Sequence, residues 1–174
     1  MNCSYASMNT TPNARENYLK GLSKTIACSK NPTLIHVTAF ADLPTEAEKS
    51  QFNINNLPTK NELIQEQIND PLSKRINDFK QKKIKVLFTT KCNRGADFPG
   101  DICNSIIITR FPYPNISNIF WKILKKTNPQ HFMSFYMDKS HRELLQKIYR
   151  GLRSKNDKVY LLSPDSRVLD FNIN

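Results

Sequence analysis

Apolar residues in this chain fall into two alternating kinds of stretch. Short β-branched runs occupy Thr33–Phe40 (TLIHVTAF), Ile84–Thr89 (IKVLFT), Ser105–Thr109 (SIIIT) and Val159–Leu162 (VYLL). Turn-forming residues flank them, which predicts buried strands. Between the runs the apolar residues recur with helical period. Tyr18, Leu19, Leu22 and Ile26 predict a helix opened by Thr11-Pro12 and ended by Asn31-Pro32. Further helices are predicted over Asn61–Ile68, from Pro71 through Ile76 and Phe79, over 116–126 and over 129–153. The stretch Ala41–Pro58 reads as loop with room for one short helix. Phe111-Pro112-Tyr113-Pro114 must be extended, because each proline disfavours helix in the residue before it.

Near-continuous apolar strands alternating with helices predict a parallel sheet covered on both faces. The expected architecture is one doubly wound α/β domain over 1–174, with a lead-in segment and first helix over 1–32 and a short polar tail over 164–174. Its 174 residues suffice for one real core. In such sheets ligands gather at the carboxyl ends of the strands. The loop Thr90–Asp101 leaves one such end, after the run at 84–89.

Two segments carry candidate chemistry. In Gln146-Lys147-Ile148-Tyr149-Arg150-Gly151-Leu152-Arg153, a helix would set Gln146, Arg150 and Arg153 within roughly 60° of one another. Leu145, Ile148 and Leu152 would fall on the far side as an anchor. Two planar guanidinium forks beside an amide suit a phosphate chain; a plain amphipathic surface helix gives the same pattern. The second segment is Thr89-Thr90-Lys91-Cys92-Asn93-Arg94-Gly95-Ala96-Asp97-Phe98-Pro99-Gly100. Its glycines open backbone conformations closed to other residues, and its hydroxyls and free N–H groups suit phosphate oxygens. Asp97 could orient a basic side chain or a backbone amide.

Charge adds a partner class. Lys and Arg number 26 against 15 Asp and Glu, a formal net charge of +11. That balance favours a polyanion, nucleic acid first, although a lysine- and asparagine-rich codon usage would also produce it. The four cysteines, Cys3, Cys28, Cys92 and Cys103, form no C-x-x-C pair and no zinc pattern. Free thiols, with no apolar run of signal-peptide or membrane-spanning length, lead us to expect a reducing cytoplasm and no membrane. His36 reads as a core histidine, and His131 and His141 form no metal pair. The cluster Lys122, Lys125 and Lys126 reads as a solvated helix face or a DNA-backbone contact.

Taken together, these segments resemble the C-terminal RecA-like motor domain of superfamily 2 DNA helicases of the XPD/DinG type, in its archaeal form. Thr33–Phe40 resembles motif IV, the region of Gln67 the glutamine-bearing motif after it, Thr89–Gly100 motif V, and Gln146–Arg153 motif VI (Q-x-x-G-R-x-x-R). Asn104–Asn115 and Val159–Leu169 (VYLLSPDSRVL) also resemble this group. The resemblance implies a single RecA-like, P-loop-NTPase-like domain that lacks the P-loop, its mostly parallel sheet flanked by helices. It implies catalytic roles for Arg150, Arg153 and Gln146, with the two arginines as fingers on developing phosphoryl charge. It implies nucleotide binding by Gly95, Asp97, Arg150 and Arg153, and DNA binding by Thr38, Thr89, Thr90, Lys91 and Arg94. Phe111, Tyr113, Phe120 and Trp121 could stack on bases, or pack in the core.

The chain departs from the family pattern in places. Tyr149 replaces the usual glycine of motif VI, with Gly151 two positions on, and Arg94 stands where many relatives carry an acid. None of the four glycines is followed by lysine, so there is no G-K-[ST]. Nor is there an Asp-Glu pair to hold magnesium. The expectation is therefore the C-terminal half of a split ATP-dependent DNA helicase. A separate N-terminal half would carry the Walker A and DEAH-type motifs, hold ATP and Mg2+ and bear the iron–sulfur cluster. Single-stranded DNA would be the track, in repair or replication. The alternative is a non-catalytic module that binds single-stranded DNA or a helicase partner.

Overall fold

The four apolar runs form four short strands: β1 (Thr33–His36), β2 (Val86–Thr89), β3 (Ser105–Ile108) and β4 (Tyr160–Leu162). In the computed structural model, which describes residues 12–70, 73–90 and 96–170, all pair in parallel in the order β2-β1-β3-β4. The helices are α1 (Pro12–Ala27), α2 (Glu46–Gln51), α3 (Lys60–Ile68), α4 (Lys74–Lys80), α5 (Ile119–Thr127), α6 (Pro129–Ile148) and α7 (Ser166–Leu169). Thr45 and Thr59 open α2 and α3 with reciprocal capping boxes to Glu48 and Glu62.

Both faces of the sheet are covered, because side chains alternate along each strand. Ile35, Val37 and Ile107 pack with Tyr18, Leu22, Leu57 and Leu63 from α1 and the α2–α3 region. Leu34, Leu87, Ile106 and Ile108 pack on the other face with Phe79, Leu144, Ile148 and Val168 from α4, α6 and α7. The chain is thus a RecA-like α/β domain, with a small all-parallel sheet between two helical layers.

The strand order reverses between β1 and β3, and their carboxyl ends make the crevice where such sheets take ligands. Here a polar network of the chain's own residues ties those ends together. The Thr38 amide donates to Thr109 Oγ1 at 2.9 Å and its hydroxyl to the Arg110 carbonyl at 2.8 Å. Thr109 Oγ1 donates to Asp42 Oδ2 at 2.7 Å, and the Tyr18 hydroxyl to the Thr109 carbonyl at 3.0 Å. Asp42 is fully buried, with Arg110 Nε 3.2 Å from its carboxylate. Burial pushes its carboxyl above the ordinary range.

Several boundaries differ from the sequence-based expectation. The first run leaves the sheet after His36 and enters a 3-10 turn at Phe40–Asp42, held by the Asp42 carboxylate on the Ala39 amide. The helix expected from Pro71 begins at Lys74; Pro71 lies outside the described residues. The helix expected over 116–126 starts at Ile119, because the Asn118 side chain caps the Phe120 amide at 3.0 Å. The most consequential difference is the last helix, which stops at Ile148 rather than running to 153.

Candidate functional site

The stop in α6 shapes the site. Gly151 lies against the sheet, where an added Cβ would meet Val159 Cγ1 at 2.9 Å and Ile106 Cδ1 at 3.1 Å. The Phe98 amide donates to the Arg150 carbonyl at 2.8 Å, drawing the chain off the helix path. Gln146, Arg150 and Arg153 therefore do not share a helical stripe. Gln146 is exposed on the last turn of α6, while Arg150 and Arg153 belong to the turn that follows it.

The two arginines still converge, through Asp97. Arg150 Nη1 lies 3.1 Å from Asp97 Oδ1, and Arg153 Nη2 bonds the same oxygen. Arg150 is mostly covered, its side chain 15% exposed, whereas Arg153 at 45% and Asp97 at 40% reach solvent. The bond from Arg153, then that from Arg150, holds the Asp97 carboxyl below the ordinary range. One carboxylate oxygen thus shares two guanidinium groups at the surface, a geometry that leaves positive charge free to meet a second anion.

Asp157 completes the frame and escaped the sequence reading. Its Oδ2 accepts from the Arg153 and Ser154 amides at 2.6 and 2.7 Å, and its Oδ1 from the Gly100 amide at 3.1 Å. These bonds depress its own carboxyl and tie the arginine turn to the Asp97 segment. The signal present in sequence was a Ser-x-x-Asp spacing just before β4.

The other candidates are dispersed. Gly95, Lys91 and Arg94 lie outside the described residues, as does Cys92. Thr38 belongs to the crevice network. Thr89 is buried at the end of β2, and the Thr90 hydroxyl donates to Gln67 Oε1 at 2.7 Å. Of the aromatic candidates, Phe111 and Trp121 are buried, Tyr113 stacks on Tyr136 with centroids 5.8 Å apart, and Phe120 is exposed. Exposed Ile119, Ile123, Met133 and Phe135 join Phe120 on α5 and α6. Lys122, Lys125 and Lys126 are exposed on α5. Among the described residues no helix is long and apolar enough to cross a membrane.

A family model described as the helicase C-terminal domain matches residues 22–174. A probable ATP-dependent helicase of Methanocaldococcus jannaschii is 26% identical over 175 residues, covering 90% of this chain and 27% of the relative. The chain therefore spans little more than a quarter of that relative's length.

Proposed function

Because the chain belongs to the helicase C-terminal domain family, we propose that it supplies the arginine side of an ATP site. The site is completed by an N-terminal motor half carrying the Walker A lysine and the DEAH-type carboxylates. The observation that carries this reading is the convergence of Arg150 and Arg153 on the single exposed carboxylate of Asp97. A phosphate chain presented from across a cleft offers the same two guanidinium groups a denser set of anionic oxygens.

The residues present fit that half of an ATP site and no more. Arg150 and Arg153 would hold nonbridging phosphate oxygens and stabilise charge as it develops on the transferred group. Asp97 would orient them until the phosphate arrives. Mg2+, and the iron–sulfur cluster of the family's other half, are assigned to that half. Single-stranded DNA is the proposed track, supported by the +11 charge. Contacts are assigned to Thr38, Thr90, Lys91 and Arg94, whereas Thr89, expected with them, is buried and is not given one. The proposal also requires an apolar face for the second half, and α5 and α6 present one.

Steady-state ATPase with single-stranded DNA tests the proposal, on this chain alone, on the N-terminal half alone and on the mixture. Activity in the mixture above that of the half alone supports it. A mixture no faster than the half alone refutes it. In that case the basic charge favours the second reading, a non-catalytic module that holds single-stranded DNA, which salt-dependent binding by the lone chain would support.

A further inference from the structure

Among the described residues, two buried side-chain nitrogens without a hydrogen-bond partner, Gln67 Nε2 and Arg75 Nε, belong to residues that line one pocket. It lies between α3, α4 and the carboxyl end of β2 and has a volume of about 190 Å3. Ile76, Leu87 and Phe88 give it an apolar side, and Glu66, Gln67 and Arg75 a polar one. The Thr90 hydroxyl donates to Gln67 Oε1 at 2.7 Å, so the oxygen end of the amide is in use and the nitrogen end is not. Arg75 Nε lies 2.7 Å from Glu66 Oε1, yet its N–H is misdirected and makes no hydrogen bond. Burial pushes the Glu66 carboxyl above the ordinary range, outweighing the Arg75 charge beside it. Asp70 is already engaged, its two oxygens accepting from the Lys74 and Arg75 amides at 2.6 and 3.0 Å.

A buried donor left unmade costs stability, so two at one pocket mark a place for an outside acceptor. One ordered water takes roughly 30 Å3, far less than this pocket holds, and gains nothing from the apolar side. An inorganic anion would meet the Glu66 carboxylate. A nucleobase suits both sides. Its flat face matches Ile76, Leu87 and Phe88, and the acceptors on its edge match an amide and a guanidinium, the donors that commonly read base edges. Thr90, whose hydroxyl holds the Gln67 amide, is also one of the contacts assigned above to the single strand.

We propose that this pocket is a nucleobase site, which seats one unstacked base of the bound strand with Gln67 Nε2 and Arg75 Nε donating to its edge. The strand as the source of the base rests on the function proposed above; the pocket's affinity for a nucleotide is a property of this chain alone.

The test follows the side-chain amide signals of Gln67 by NMR on the whole chain. Each of the common deoxynucleoside monophosphates is added in turn, with deoxyribose phosphate and inorganic phosphate as controls. We expect at least one nucleotide to move those signals and neither control to do so. Gln67→Glu keeps the acceptor for Thr90 and removes the donor, whereas Gln67→Leu removes both. Read at the Phe88 and Thr90 backbone amides, each variant should bind that nucleotide about tenfold more weakly. Gln67 signals that no nucleotide moves overturn the proposal and leave water in the pocket. An equal shift from either control overturns it in favour of an anion site. Parent-like nucleotide binding by Gln67→Glu overturns it as well, and that variant decides alone if Gln67→Leu fails to fold. Fluorescence anisotropy then compares a homopolymeric oligodeoxynucleotide of the preferred base with an abasic strand of equal length. Tighter binding of the homopolymer supports capture of a base from the strand. Equal binding of both strands keeps the track and overturns that capture. A nucleotide bound at the pocket with neither strand bound keeps the site and counts instead against single-stranded DNA as the track.

Discussion

Replacing Gly151 by alanine should injure this fold through one methyl group. The added carbon would sit 2.9 Å from Val159 Cγ1 and 3.1 Å from Ile106 Cδ1. The Ile106 methyl ends a flexible side chain and can yield. Val159 is β-branched and stiff at χ1, so relief there requires moving the backbone that leads into β4. Overpacking of this kind costs about 1–2 kcal/mol. For a chain of this size that lowers the melting temperature by roughly 2–8 °C. Calorimetry on Gly151→Ala, Val159→Ala and the double variant reads the effect. The Val159→Ala background removes the clashing methyl, so the alanine at 151 should cost clearly less there. A Gly151→Ala protein that melts with the parent, or an equal cost in both backgrounds, would show that the turn does not press on the sheet. The close approach would then not explain why α6 stops.

Four other outcomes follow from the polar and titratable groups. Asp97→Asn should leave stability within about 1 kcal/mol of the parent, since the Asp97 carboxylate and Arg153 reach solvent. It should raise the lone chain's affinity for inorganic tripolyphosphate in titration calorimetry; weaker binding would mean Asp97 does not compete for the arginines. Because its arginines hold the Asp97 carboxyl below the ordinary range, the Asp97 clamp stabilises the fold above the unfolded pKa. That stabilisation is lost only as pH falls through the lower folded value, which Arg150 side-chain NMR signals can follow. Asp42→Ala strips the acceptor from the Ala39 amide and the Thr109 hydroxyl; urea denaturation should show a loss of about 2–4 kcal/mol, and a loss under about 0.5 kcal/mol would contradict the network. His36 binds its proton in the folded state only near pH 3, so between that value and the unfolded value of about 6.5 the unfolded chain carries the extra proton. Stability should therefore decrease as pH is lowered through that window, by about 1.4 kcal/mol per unit. His36→Phe should flatten that slope in melts between about pH 6 and pH 5, and an unchanged slope would assign it elsewhere.

The strands and their parallel order were legible because buried parallel strands are written as unbroken apolar runs, which the chain places between helical stretches. The end of α6 was not. Periodicity from Leu144 to Leu152 continues smoothly in sequence, and only the tertiary approach of Gly151 to Val159 and Ile106 breaks it. The arginine pair was found by type but assigned the wrong reason for converging. A shared helix face would have sufficed, whereas an acid about fifty residues away gathers them. Asp97 itself was recognised as able to orient a basic group. Asp157 was overlooked because its partners are backbone amides, whose positions no residue pattern records. His36 reads as a core histidine in sequence, and it is buried.

The most direct test of the central claim is DNA-stimulated ATP hydrolysis by the N-terminal half mixed with this chain, compared with the same half mixed with the Arg150→Ala chain. The account predicts stimulation by the parent chain and loss of about two or more orders of magnitude with the variant, while the variant keeps the parent's fold. Equal stimulation by both chains would contradict it, because Arg150 would then not act at the phosphates.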